Sequence, residues 1–196
     1  QLLDRVIAAY GQQEGLKYTL FRPFNWIGSG LDSMHTKKEG SSRVVTQFLG
    51  HIARGEDIKL VDGGLQRRNF TDISDGVAAL VKILENKDGI ADGKIYNIGS
   101  PKNDLSIKEL ASLMLEMSYD YPEYEPQARN VNIVVVNSVE YYGEGYQDIQ
   151  SRVPFIDNTC EELEWAPAID VKDALGKIMD TYRHEVAAAR ALLGRH

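Results

Sequence analysis

Apolar residues recur along this chain with two periods, one near 3.6 and one near 2, in alternating blocks. Leu3, Val6, Ile7 and Tyr10 fall at i, i+3, i+4 and i+7, which predicts a helix running from Gln1 with no Ser, Thr, Asp or Asn ahead of it as a cap. The expectation is a chain that opens in mid-helix, as the back part of a longer protein. Lys17-Tyr18-Thr19-Leu20-Phe21-Arg22-Pro23 is β-branched and aromatic, reads as a buried strand, and is ended by its proline. Residues 28–40 hold three glycines and read as a loop. A helix is expected from Ser41, with Val45, Phe48, Leu49 and Ile52 on one face and Gly55 closing it.

Ile58-Lys59-Leu60-Val61 predicts a strand that runs into the turn Asp62-Gly63-Gly64. Thr71 or Asp72 caps a helix carrying Val77, Leu80, Val81 and Leu84, and Lys94 to Gly99 reads as a further strand. Ser106-Ile107-Lys108-Glu109 is a capping box in front of Leu110, Leu113, Met114 and Met117. Residues 119–130, with prolines and tyrosines, read as a loop and 131–136 as a strand. The final helix is expected after Asp170, burying Leu175, Ile178, Met179 and Tyr182. Helices alternating with short strands give the class α/β.

Composition narrows the function classes. The 196 residues are 43% hydrophobic and 26% charged, ample for a folded core. A net charge of -7 argues against a nucleic-acid or membrane-surface partner. The single cysteine, Cys160, excludes an internal disulfide and a cysteine-cluster metal site, and no run approaches the roughly 20 apolar residues of a membrane span. A cytoplasmic protein is expected.

Candidate chemistry is concentrated in two places. Lys59, Arg67 and Arg68, with Arg43 and Arg152 elsewhere, form the positive signal in an acidic chain. Guanidinium forks beside a glycine turn suit a diphosphate, while spacing alone favours ordinary solvated surface charges and does not settle the matter. The string Tyr141-Tyr142-Gly143-Glu144-Gly145-Tyr146-Gln147-Asp148 suits stacking on a sugar or base, or a loop folded over the core through its tyrosines. The scattered histidines lack metal-ligand spacing, Asp72 and Asp75 read as helix caps, and Cys160 has acidic neighbours that disfavour a thiolate. Neither G-x-G pair, Gly28-Ser29-Gly30 or Gly143-Glu144-Gly145, continues into a dinucleotide fingerprint, and no tyrosine has a lysine four residues on.

Leu20-Phe21-Arg22-Pro23-Phe24-Asn25-Trp26, Ile58 to Gly64, Phe70-Thr71-Asp72-Ile73, Tyr96-Asn97-Ile98-Gly99 and the 141–148 string, in that order, resemble the C-terminal part of extended short-chain dehydrogenases acting on nucleotide sugars. Within that family the resemblance is nearest to the UDP-glucuronate decarboxylase domains of bifunctional polymyxin-resistance enzymes. It implies the C-terminal part of a Rossmann-type fold with a small α/β substrate lobe and the N-terminal nucleotide-binding half absent. Residues 1–25 and 70–99 would be remnants of the cofactor-domain sheet, and 26–69 and 100–196 the UDP-sugar lobe.

The resemblance further implies the chemistry of a complete enzyme: NAD oxidises UDP-glucuronate at C4, and the β-keto acid decarboxylates, on the route to 4-amino-4-deoxy-L-arabinose for lipid A. The chain would begin one residue after the catalytic lysine, with the glycine-rich loop and Tyr-x-x-x-Lys pair upstream, so it would be inactive by itself. Carried over residue by residue, the substrate contacts are Asn25, Arg43, Lys59, Leu60, Val61, Asp62, Gly63, Gly64, Leu65, Gln66, Arg67, Arg68 and Tyr146. Arg152 matches the arginine assigned to protonation. Its high pKa favours a role in holding the carboxylate and the enolate. Gly30 and Val153 stand where close relatives carry basic residues. Implied partners are UDP-glucuronate or a related UDP-sugar, and a homo-oligomer or a missing N-terminal half. Another nucleotide-sugar epimerase or dehydratase, a UDP-apiose/xylose synthase and a non-catalytic UDP-sugar-binding module remain open.

Overall fold

The computed structural model describes residues 2–35, 43–144 and 148–191. Helix α1 (Leu2–Glu14) leads to strand β1 (Thr19–Pro23) and the short β2 (Trp26–Ile27). Helix α2 (Val44–Arg54) ends at Gly55, whose φ of 71° is the left-handed closure that glycine adopts without strain. The predicted start of that helix at Ser41, the second half of the 28–40 loop, and Gln1 lie outside the described residues. Strand β3 (Ile58–Val61) passes through a one-turn 3-10 segment, Asp62–Gly64, to β4 (Arg67–Asn69) and β5 (Thr71–Asp72). Helix α3 (Ile73–Glu85) and β6 (Lys94–Ile98) follow, then β7 (Asp104–Ser106), α4 (Ile107–Ser118) and α5 (Glu125–Ala128). Strand β8 (Ile133–Val136), α6 (Ser138–Tyr142), β9 (Ser151–Arg152), α7 (Asp157–Leu163), α8 (Val171–Tyr182) and α9 (Val186–Ala191) complete the order.

Parallel pairs dominate: β1 lies on β6, β2 on β5 and β3 on β8, the register pairing Leu60 with Val135. Strand β4 sits between β7, antiparallel, and β9, parallel, with Arg68 opposite Leu105 and Arg152. The fold is α/β, as expected. The larger apolar cluster joins α2, β3, α4, α5, α8 and α9 through Leu49, Ile52, Leu60, Met114 and Leu175. A smaller one gathers Ala79, Tyr96, Ile98, Leu163 and Trp165.

Local chemistry explains the element starts. Ser106 and Glu109 form both halves of the capping box, and Asp170 accepts from the Lys172 N–H at the start of α8. Asp72 accepts from the Ser74 N–H and caps α3. Asp75, expected to be a cap, instead turns its buried carboxylate to the Ala168 and Ile169 N–H groups, while its carbonyl accepts from the Trp165 indole.

Several expectations are corrected. Strand β1 is not buried: its last three residues are exposed, because among the described residues it pairs with β6 alone. Helix α3 turns Val77, Val81 and Leu84 outward, Leu84 being 83% exposed, and buries Asp75, Gly76 and Ala79. Gly76 is required there, since a Cβ would come within 2.8 Å of the Trp26 ring. Helix α1 has no buried residue. The 119–130 loop contains α5, begun with Pro126 in its first turn, and α8 is followed by α9.

Candidate functional site

A cleft of about 480 Å³ opens where the ends of β1 and β3, the start of α2 and strand β4 meet. Its polar lining is Asn25, Arg43, Gln47, Lys59, Gln66, Arg68 and Asp148. Trp26, Phe48, Phe70, Ile107 and Tyr141 supply apolar surface. Asn25 stands at the C-terminal end of β1 in a left-handed conformation, φ 38°, and its side-chain amide donates to the Asn69 carbonyl at 3.0 Å. A non-glycine residue held there is costly, and such residues concentrate at binding sites.

The period of two in a strand sorts the carried-over residues. On β3, Lys59 and Val61 face the cleft while Leu60, 1% exposed, is core. On β4 the two adjacent arginines part company. Arg67 turns away from the cleft: Nε donates to Asp104 Oδ2 at 2.7 Å, Nη2 to the Asp104 carbonyl at 2.9 Å and Nη1 to Glu109 Oε2 at 3.0 Å. The Asp104 bond, foremost, raises the pKa of Arg67, and the Ser106 backbone and hydroxyl, then Arg67, hold the Glu109 carboxyl below its ordinary range. Arg68 lines the cleft. Its Nη2 meets Asp148 Oδ1 at 2.5 Å, and Nη1 donates to the carbonyls of Arg67 and Ile149 at 2.8 and 2.7 Å.

The turn residues do other work. Asp62, at φ 48°, accepts the Ser138 N–H at 3.0 Å, tying β3 to the start of α6. Gly63 and Gly64 take φ 81° and 65°, and a Cβ on Gly64 would stand 3.1 Å from the Lys108 nitrogen. Leu65 is exposed. Thus Asn25, Arg43, Lys59, Val61, Gln66 and Arg68 are brought together in the cleft wall, and Leu60, Asp62, Gly63, Gly64, Leu65 and Arg67 are not among its lining. Arg152 is exposed on β9, in register with Arg68 but one strand away from the lining. Tyr146 lies outside the described residues.

Sequence reasoning passed over Gln47 and Phe70 as site residues and reached Asp148 only as the end of the 141–148 string. Asp148 meets Arg68 across 80 positions of chain, a pairing with no local signal. The Cys160 thiol is pushed up chiefly by burial, with Asp157 and Glu161 adding to it.

A Cβ on Gly28 would collide with Ile73 Cγ2 at 2.4 Å, so its space is taken by side-chain packing. Gly143 closes α6, and Gly145 lies outside the described residues.

A sequence profile of the NAD dependent epimerase/dehydratase family matches residues 1–99. Among solved structures, the PbgP3 protein from Burkholderia pseudomallei is 57% identical, with a TM-score of 0.81 over 98% of this chain and 53% of that one. UDP-glucose 4-epimerase of Thermotoga maritima, with UDP-glucose, superposes at TM-score 0.74 and 21% identity over 93% of this chain and 51% of its own. UDP-glucuronic acid 4-epimerase of Bacillus cereus, solved in complex with UDP-glucuronic acid and NAD, gives 0.71 and 18% over 93% and 50%. The last two likenesses show the fold, and the chain spans about half the length of each structure. The chain belongs to the NAD dependent epimerase/dehydratase family.

Proposed function

We propose that this chain is the nucleotide-sugar-binding portion of an NAD-dependent UDP-glucuronate oxidative decarboxylase, the activity that leads toward 4-amino-4-deoxy-L-arabinose on lipid A. The observation that carries the reading is the cleft itself, where Arg43, Lys59 and Arg68 converge beside aromatic surface in a chain of net charge -7. Cations gathered against the overall charge suit a diphosphate, with guanidinium forks giving direction and the lysine a point charge. Asn25 and Gln66 add amide groups for hydroxyls or a base, and Phe48 and Phe70 exclude water around them. The Tyr-Tyr-Gly-x-Gly-Tyr-Gln-Asp string, whose Tyr141 and Asp148 line the same cleft, supports the decarboxylase branch.

NAD belongs to the complete enzyme. The part played by the residues of this chain is to bind and orient the sugar nucleotide. Residues 26–69 and 100–196 serve as the substrate lobe, and the exposed apolar faces of α1 and α3 are the surface for a second chain or an N-terminal half. Arg152, beside Arg68 in register, recognises the carboxylate that separates UDP-glucuronate from UDP-glucose. Calorimetric titration of the chain and of Arg152→Met with both ligands tests the reading. The expected result is a preference for UDP-glucuronate that Arg152→Met removes. Equal affinity for both ligands in the unaltered chain refutes it.

A further inference from the structure

Helix α2 opens on Arg43, which has no side-chain cap of its own. The acceptor comes from eleven residues earlier: Asp32 Oδ2 takes the Arg43 backbone N–H at 3.0 Å and lies 3.7 Å from its Nη1. The Arg43 guanidinium also donates to the Leu31 carbonyl at 3.5 Å. Asp32 is itself held. The Tyr182 hydroxyl donates to the Asp32 carbonyl at 2.6 Å and accepts the Gly30 N–H at 3.0 Å. Ser29 Oγ donates to Thr181 Oγ1 at 2.9 Å on the same last turn of α8. Tyr182 is 5% exposed within the large apolar cluster, so its hydroxyl is a fixed point.

We infer that Asp32, set by Tyr182, is a positioning residue: it fixes where α2 begins and so places the Arg43 guanidinium at the cleft mouth for the diphosphate of a ligand. The inference rests on the nucleotide-sugar reading of the cleft. Two jobs of the carboxylate are separable. Its oxygen orders the start of α2, and its charge partly neutralises Arg43. An asparagine keeps an accepting oxygen and drops the charge, whereas alanine loses both. Positioning therefore predicts that Asp32→Asn rescues what Asp32→Ala loses, and that the loss requires Arg43.

The test is calorimetric titration with UDP, with thermal unfolding to establish that each variant is folded. Asp32→Ala is expected to bind UDP about tenfold more weakly, Tyr182→Phe about threefold, and Asp32→Asn within about twofold of the unaltered chain. In an Arg43→Met background, adding Asp32→Ala is expected to change affinity by less than about twofold. An Asp32→Ala chain that binds as tightly as the unaltered one overturns the inference, as does an equal loss in the Arg43→Met background. Failure of the unaltered chain to bind UDP overturns the nucleotide reading instead. The inference is then read without ligand, from hydrogen exchange at the Arg43 amide: protection lost in Asp32→Ala and kept in Asp32→Asn supports it, and protection unchanged in Asp32→Ala overturns it.

Discussion

Replacing Arg68 by methionine separates the two tasks this side chain performs. The methionine retains much of the stem and removes three hydrogen bonds, at 2.5, 2.7 and 2.8 Å, the shortest of them to Asp148. Loss of a charged donor from a buried pair would cost 3 kcal/mol or more, but Asp148 is 26% exposed and regains water, so about 2 kcal/mol of stability is the expected loss. For a chain of this size that lowers the unfolding midpoint by roughly 4–8 °C. Removing a guanidinium from among the cleft cations costs UDP binding about 2–3 kcal/mol more, or roughly 30- to 150-fold in Kd. Arg68→Lys keeps the charge without the fork and should fall between. Circular dichroism melts and calorimetry with UDP read both quantities. A methionine variant that melts lower yet binds UDP like the unaltered chain would mean that Arg68 is only a strut to Asp148, and the cleft assignment would be wrong.

Asp75→Ala leaves the Ala168 and Ile169 N–H groups without their acceptor, so a loss of about 2–4 kcal/mol is expected, with UDP affinity preserved in the folded fraction; a melt within 2 °C of the unaltered chain, on the order of half a kcal/mol, contradicts it. The Lys94 ammonium and the Tyr96 hydroxyl, both at 2.7 Å, hold the Glu162 carboxyl below its ordinary value of 4.5. Its contribution is therefore complete above that value and is lost as pH falls through the lower folded value, so Glu162→Gln should flatten the acid limb of the stability curve; parallel curves from about pH 5 to 3 would show otherwise. Cys160, with its pKa raised by burial, should react with iodoacetamide more slowly than free cysteine near pH ~8, and an equal rate would contradict the described environment. Exposed Leu2, Leu3, Val6 and Tyr10 on α1 should drive association, seen by light scattering as a mass above 22.0 kDa that Leu3→Glu with Val6→Glu reduces; a clean monomer before substitution refutes this.

Elements governed by local chemistry were legible in the sequence. The 106–109 capping box, the Asp170 cap and the Gly55 closure each rest on residues within a turn of one another, and all three are present. Facing was harder to read. Val77, Leu80, Val81 and Leu84 share one face by periodicity, yet of these Leu80 packs on the core while the other three face outward, and α3 packs inward chiefly through Asp75, Gly76 and Ala79, because the close approach of Trp26 selects the glycine side. Elements of two to seven residues, β9, α6 and α7, depend on distant partners such as β4 and β6 and carry too few residues for a period. In the cleft, the basic residues were visible as residues, but their division was not. Strand alternation sends Arg68 to the cleft and Arg67 to Asp104 and Glu109, and reading that required knowing which face of β4 is open. Asp148 stood in the 141–148 string, but its pairing with Arg68, 80 positions away, had no sequence signal.

The proposed role of this chain is to grip a sugar nucleotide, with NAD held elsewhere in the complete enzyme. Parallel calorimetric titrations of the chain with UDP-glucuronate and with NAD test it most directly. Saturable one-site binding of UDP-glucuronate, weakened in Arg68→Met, is expected, with no saturation by NAD over the same concentration range. Tight NAD binding, or absence of UDP-glucuronate binding by the folded chain, would contradict it.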